Sequence, residues 1–378
     1  MSGAEVIIVG GGVTGLSAAW WIARSGVKVT VLDKGIVGWE ASGRNGGGAS
    51  HYQSPLFDEE HRLWPQMDGL LGYPTEHQSE RIIIAMTERQ WEQYRFVAER
   101  HNRLGHPVDL LDPKQVQDAV PLAGDQCFGG VHYKFGGHAN PQRTAQAYAW
   151  ALQDLGGTII QHNAVTGFET AGGKVIGVKT VAATYGCDAL VIAAGPQTDK
   201  LCAQLGVTIP LAAARAEMII TEPAPMMPIG GVDGHKLYGR QTMRGNLAYG
   251  GGPHEWIDVD ETGPVARPST PLMRNLAARL AELLPKAAHL NEIRSWAGVI
   301  ENTPDGRPII DRLSSPDNVV VATMSGVGFG LSPASGHAIR DLVIDGVCSF
   351  ADISILGLSR FADLAPDWRV KRGWLPIS

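Results

Sequence analysis

Three glycines near the start of the chain stand at a spacing that can hold a phosphate. Gly10, Gly12 and Gly15 form a Gly-x-Gly-x-x-Gly run, preceded by β-branched residues 6–9 and followed by the small and apolar residues 16–25. This pattern predicts a buried strand, a tight turn and a helix that Gly26 closes in the usual C-terminal place. Residues 27–32 read as a second strand ending at Asp33, which completes a βαβ unit within 33 residues. In such a unit the first glycine permits the turn, the second lets the backbone approach a pyrophosphate, and the third lets helix pack on strand. The helix start, at Val13 and Thr14, adds N–H groups and the positive end of a dipole. Asp33, 23 residues beyond Gly10, stands where a carboxylate accepts ribose hydroxyls. A second glycine run, Ser42-Gly43-Arg44-Asn45-Gly46-Gly47-Gly48, follows soon after. It would let the chain run along a diphosphate and on toward a ring system, which a simple nicotinamide fold does not require. On these residues alone the dinucleotide is NAD or FAD.

Positioning such motifs takes a scaffold, and the length allows one. At about 150 residues per domain, 378 residues suggest two domains. Apolar residues at 44% and charged residues at 19% exclude intrinsic disorder. A net charge of −6, from 38 acids against 32 bases, lacks the basic excess of a sequence-independent nucleic-acid binder. No apolar run is long enough to span a membrane. Four cysteines, Cys127, Cys187, Cys202 and Cys348, lie far apart without a CxxC pair. They offer no zinc or iron–sulfur ligand set and no disulfide framework, so no metal is expected. The start lacks the pattern of a secretory signal. The expected location is cytoplasmic, extending to the inner face of the cell membrane.

Further along, the spacing predicts helices over residues 87–103, from Asp112-Pro113, over 141–155 behind an Asn140 cap, over 271–284 and over 337–345. Strands are predicted within 158–190, turning at Gly172-Gly173, and at 188–193 just before Ala194-Gly195. Residues 212–252 alternate in strand fashion, with a hairpin near Arg244-Gly245-Asn246. Strand signals recur at 295–311 and 318–323. There is no internal repeat and no low-complexity linker, so the domains are expected to interleave.

A third glycine run, Gly326-Val327-Gly328-Phe329-Gly330-Leu331-Ser332-Pro333, completes a recognisable set. Together with Gly10 to Gly15, Asp33 and the Ser42 run, it resembles the D-amino acid oxidase/sarcosine oxidase group of FAD-dependent amine oxidoreductases, over nearly the whole chain. Within that group the chain looks most like β subunits of heteromeric enzymes: opine oxidase, hydrogen cyanide synthase, proline or hydroxyproline dehydrogenase, and sarcosine oxidase. Tyr238-Gly239-Arg240-Gln241 followed by Gly250-Gly251-Gly252 tilts it toward opine oxidase. The resemblance implies an α/β fold, with a doubly wound FAD-binding domain from residues 1–80, 140–210 and 295–350. A mixed-sheet substrate domain would come from 81–139 and 211–294, and 351–378 would form a tail. It implies FAD held by Gly10, Gly12, Val13, Thr14, Gly15, Asp33 and Lys34. Ser42, Gly43, Arg44, Asn45, Gly46 and Gly47 would line the path to the flavin. Val165, Ala194, Gly195, Gly326, Gly328, Phe329, Gly330 and Leu331 complete the expected cofactor contacts. The last glycine run would sit by the pyrimidine edge at a helix start, whose dipole favours the negative charge of a reduced flavin.

Departures from the group matter too. Monomeric members link flavin to a cysteine beside a TPDG-like turn, and Asn302-Thr303-Pro304-Asp305-Gly306 has none nearby, so FAD is expected to be noncovalent. Asn140 stands near where sarcosine oxidase β subunits carry a covalent FMN on histidine, with His138 close by. An FMN at a subunit interface stays open. The arginines that anchor carboxylate in glycine oxidases correspond to Ile300 and Gly326. Substrate contacts are expected instead from His51, Tyr52, Arg240, Tyr249 and Glu301, with Glu301 pairing a cationic tail. Plain alternatives are a surface turn for His51 and Tyr52, an exposed hairpin arginine and a solvated glutamate.

The expected reaction is FAD-dependent oxidation of a secondary amine or amino acid, such as an opine, to an imine that water hydrolyses. Electrons would pass to a second subunit, a flavin or iron–sulfur protein. This expectation comes from the strand 245–252, which lacks the lysine that monomeric sarcosine oxidases set over the flavin. Direct oxidation by oxygen, hydroxy-acid oxidation on the same fold, and a non-catalytic FAD-holding chain within a complex are the alternatives. In the tail, Trp368 and Trp374 alternate with Arg369, Lys371 and Arg372. Such a segment suits a partner groove or an anionic membrane surface, or a strap on its own domain.

Overall fold

The structure is a computed structural model that describes residues 5–259 and 267–375. Its first layer is a six-stranded sheet in the order Ile309–Arg312, Val319–Thr323, Ala189–Ile192, Glu5–Val9, Lys28–Leu32, Thr158–Ile160. All neighbours run parallel except the Ile309–Arg312 edge strand. The central strands are apolar on both faces because helices cover both. On one face the helices Val13–Arg24 and Gly328–Ile344 pack over Val6, Ile8, Val29 and Val191. On the other, Ile7, Val9, Leu190 and Ile192 meet Leu201, Ile209 and a small three-stranded sheet spanning Val165 to Gly186. The expected turn at Gly172-Gly173 is present, both residues having positive φ.

The second layer is a nine-stranded sheet. It draws on Arg81–Ala85, Val108–Leu111, Gly129–Tyr133 and the strands between Ala212 and Ile257. The strand Glu292–Asn302 pairs along almost its whole length with Ala212–Pro223. The domain boundary expected at 295 therefore falls inside a strand of the large sheet, and the change of layer comes after Asn302. One face of this sheet carries Ile82, Ile84, Val232, Leu237, Leu247 and Tyr249 into a core under the helix Thr270–Leu283. The opposite face, with period-two alternation, turns Arg81, Asp233, Tyr238, Gly250 and Met218 the other way.

Helix ends follow the sequence signals. Asp112 and Gln115 form a reciprocal capping box ahead of Pro113, and Asn140 accepts from the N–H groups of Gln142 and Arg143. The tail is a strap on its own chain. Trp374 stacks on Trp256 with centroids 4.3 Å apart, Trp368 meets Trp374 edge-on at 6.0 Å, and Arg369 donates to the Leu211 carbonyl. Both indole rings are thus engaged within the chain and half-buried. No helix among the described residues is long and apolar enough to cross a membrane.

Candidate active site

Two cavities meet where the sheets face one another. The first, of about 450 Å³, runs from the Gly10 turn past Asp33 and Lys34 to Gly326. Gly10 builds its floor: at φ +108° its backbone closes on the Ala193 carbonyl, 2.3 Å from where a Cβ would stand. Gly12 precedes the helix Val13–Arg24, which has no acid in its first turn. The start of that helix is therefore open to an anion. Ser42 crosses to it, its hydroxyl accepting the Val13 N–H at 2.9 Å. Asp33 accepts Gly11 N–H on Oδ2 and Gly35 N–H on Oδ1, each at 2.7 Å. Thr14, Asn45, Val165, Ala194, Gly195, Gly328 and Phe329 also line this cavity. Gly15, Gly43 and Leu331 line neither cavity; they sit beneath as packing. A Cβ on Gly15 would fall 2.0 Å from the Gly10 carbonyl oxygen.

The second cavity, of about 380 Å³, shares Ala41, Asn45, Ile300, Gly326 and Phe329 with the first. Arg44, Gly46, Gly47, His51 and Gly330 line it from the cofactor layer, and Arg81, Met218, Asp233, Tyr238 and His254 from the large sheet. Asn45 pins the glycine run by donating to the carbonyls of Ala41 and Ser42 and accepting the Gly47 N–H. His51 is held by a buried carboxylate: its Nδ1 lies 2.8 Å from Glu60 Oε1, and its backbone N–H donates to Oε2 at 3.0 Å. In the neutral imidazole this contact favours the proton on Nδ1 and leaves Nε2 as acceptor. Gly330 makes room for this ring, since a Cβ there would stand 2.3 Å from His51 Cε1.

Four of the five expected substrate contacts do not line the second cavity. Glu301 is buried against the first cavity, where Oε1 accepts Met324 N–H at 2.9 Å and the Thr323 hydroxyl at 3.2 Å. Burial pushes its carboxyl up, opposed by those donors. It does not line the second cavity, so a cationic tail there would not meet it. Arg240 is buried and donates to the Gly46 carbonyl at 2.6 Å, clamping the glycine run to the large sheet. Burial lowers its pKa to about 10. Tyr249 faces the apolar core because it lies one residue out of phase with Ala248 and Gly250. Tyr52 is exposed and rests edge-on against His101, with centroids 4.6 Å apart. Arg244 is exposed in the Thr242–Asn246 turn.

Sequence reasoning missed Arg81, Asp233 and His254. Arg81 Nη2 lies 3.2 Å from Asp233 Oδ2, and Asp233 Oδ1 accepts the Gly239 N–H at 3.2 Å. No spacing marks this pair, because only the parallel register of Arg81–Ala85 on Gly231–Gly234 brings the two side chains together. Burial pushes the Asp233 carboxyl up, and Arg81 opposes it. His138, beside them, is buried with both ring nitrogens unpartnered, and burial holds its pKa down at about 3. Tyr238 stood in a quoted motif, and its ring rather than that of Tyr249 lines the chamber.

The residues of the first cavity fit a dinucleotide: a turn only glycine can make, a helix start with no acid in its first turn and a carboxylate at the end of the second strand. Comparison with known proteins agrees. The model of the FAD dependent oxidoreductase family matches residues 5–342. The chain is 27% identical to the β subunit of sarcosine oxidase from Rhodobacter capsulatus, covering 95% of this chain and 89% of that one. It is 29% identical to an opine oxidase subunit from Agrobacterium tumefaciens, covering 89% and 91%. Among solved structures, the L-proline dehydrogenase from P. horikoshii superposes with a TM-score of 0.85 at 23% identity, over 98% of this chain and 99% of that one.

Proposed function

The chain belongs to the FAD dependent oxidoreductase family, and from that premise we propose that it oxidises an amine or amino acid to an imine and hands the electrons to a partner protein. The observation that carries this reading is the junction of the two cavities, where a dinucleotide cleft opens through Asn45, Gly326 and Phe329 into a chamber with an arginine, a carboxylate and a carboxylate-held histidine. FAD, when bound, supplies the acceptor for the hydride leaving the carbon next to nitrogen. The residues that would hold it are Gly10, Gly12, Val13 and Asp33 at the dinucleotide end, with Ser42, Asn45 and Val165 along the cleft. The start of the helix Gly328–Ile344, also without an acid in its first turn, favours an anion at the far end.

The amine arrives from water as an ammonium and must be neutral to react. His51 Nε2, kept as acceptor by the Glu60 contact on Nδ1, takes that proton. Loss of the hydride from carbon and of a second proton from nitrogen leaves a C=N bond. Water adds to it and releases an amine and a carbonyl compound. The walls of small residues let reactants approach closely.

A missing lysine and the β-subunit relatives support transfer to a partner. Direct reduction of oxygen benefits from a fixed cation that stabilises superoxide in a low-dielectric site. Among the described residues no lysine lines the second cavity. Of its two guanidiniums, Arg44 stays cationic while donating to the neutral carbonyls of Trp39 and Ala297, and Arg81 is paired with Asp233, so oxygen use by way of Arg44 is the reading that the test must exclude. The β-subunit relatives support a separate protein as the acceptor. The test is anaerobic bleaching of the flavin by a panel of amines against a panel of alcohols, followed by admission of air. Bleaching by amines with slow reoxidation is expected. Bleaching by alcohols alone, or rapid stoichiometric peroxide from an isolated chain, would refute the respective half.

A further inference from the structure

We propose that Arg81 and Asp233 form a charge-paired substrate subsite, which takes an amino-acid derivative bearing a carboxylate and a second cation besides its reacting nitrogen. The inference rests on the amine-oxidation reading and names its substrate class. Both side chains are about four-fifths buried, at 19% and 20% exposure, yet both line the chamber next to the flavin-binding glycine run. Nη2 lies 3.2 Å from Oδ2, while Arg81 Nε is buried without a partner. Arg81 therefore has donors left for a carboxylate. The other guanidinium on the chamber, Arg44, is already engaged by two carbonyls.

A substrate carboxylate that draws Arg81 to itself takes the counter-charge from Asp233. A carboxylate left alone in a half-dry chamber is costly, so a ligand that brings its own cation to Asp233 is favoured over one that does not. That cation is not the reacting nitrogen, because a carboxylate against the reacting nitrogen would hold it as the unreactive ammonium. Tyr238, whose ring lines the same wall, offers a second cation a π face. His254 Nε2, buried without a partner on that wall, has a free ring nitrogen for the carboxylate or the amine.

The experiment uses the flavin-loaded protein and three secondary amines on one skeleton: N-alkyl arginine, N-alkyl norvaline and N-alkyl agmatine. Apparent Kd is read from anaerobic flavin bleaching. Wild type is expected to bind the arginine compound best. Asp233→Asn should abolish the preference of arginine over norvaline. Arg81→Gln should weaken the norvaline compound, which offers only a carboxylate, by roughly thirtyfold or more, the scale for truncating one partner of a buried charge pair, and should bind the agmatine compound at least as tightly as wild type, because Asp233 is then left to its cation. Asp233→Glu and Arg81→Lys, with full flavin content as the check of folding, should restore part of each effect. Wild type reduced by amines with no preference for the arginine compound, or with discrimination unchanged in the variants, overturns the subsite alone. If no amine bleaches the wild type, amine oxidation itself falls and the subsite with it.

Discussion

Asp33 is where cofactor affinity can be traced to individual bonds. Its two oxygens accept the N–H groups of Gly11 and Gly35, one each, at 2.7 Å, and the carboxylate lines the first cavity. In Asp33→Ala both N–H groups lose their acceptor. Water can replace it while the cleft is open, but not once FAD lies over the strand end, so the cost appears as lost FAD affinity. An unpaired donor costs about 1–3 kcal/mol when buried, and a half-buried site belongs at the lower end. Two donors plus one forfeited ribose bond come to about 3 kcal/mol, or roughly a hundredfold in Kd. Asp33→Asn keeps one acceptor oxygen and turns an amide N–H toward the other donor, so it should lose about half of that, roughly tenfold. The assay is FAD titration of apoprotein by fluorescence quenching, with wild type binding tightest, then asparagine, then alanine. Equal affinity of the alanine and asparagine variants, both within about threefold of wild type, would refute the reasoning.

Two other predictions concern Glu301 and the cofactor linkage. Burial raises the Glu301 carboxyl, and a folded-state value above the unfolded one gives stability that is full at low pH and lost as pH rises through the folded value. Glu301→Gln cannot ionise, so its Tm should gain on wild type as pH rises above the ordinary carboxylate range; parallel curves would contradict this. Because Asn140 caps a helix and no cysteine stands near the TPDG-like turn, acid precipitation should release the yellow colour to the supernatant. Colour left in the pellet would mean a covalent bond to another residue.

Local chemistry was legible without coordinates. The Gly10 run, the strand ending at Asp33 and the Asn140 cap depend on residues within a few positions of each other, so the backbone geometry they demand is written in the local sequence. The family resemblance rests on three such local runs. What the tertiary structure decided was which side chains share a space. Tyr249 and Tyr238 both lie on strands beside glycines, and only the sheet's register shows that one enters the apolar core and the other the chamber. Glu301 sits next to a recognisable turn, yet the long pairing of Glu292–Asn302 with Ala212–Pro223 and the contacts to Thr323 and Met324 carry it to the cofactor cleft. Arg81 and Asp233 belong to strands far apart in the chain, and neither has a neighbour that announces it. A side chain's direction in a sheet reverses with every residue, and its partner is chosen by strand order. Both are set by the packing of the whole chain, which no short stretch of sequence contains.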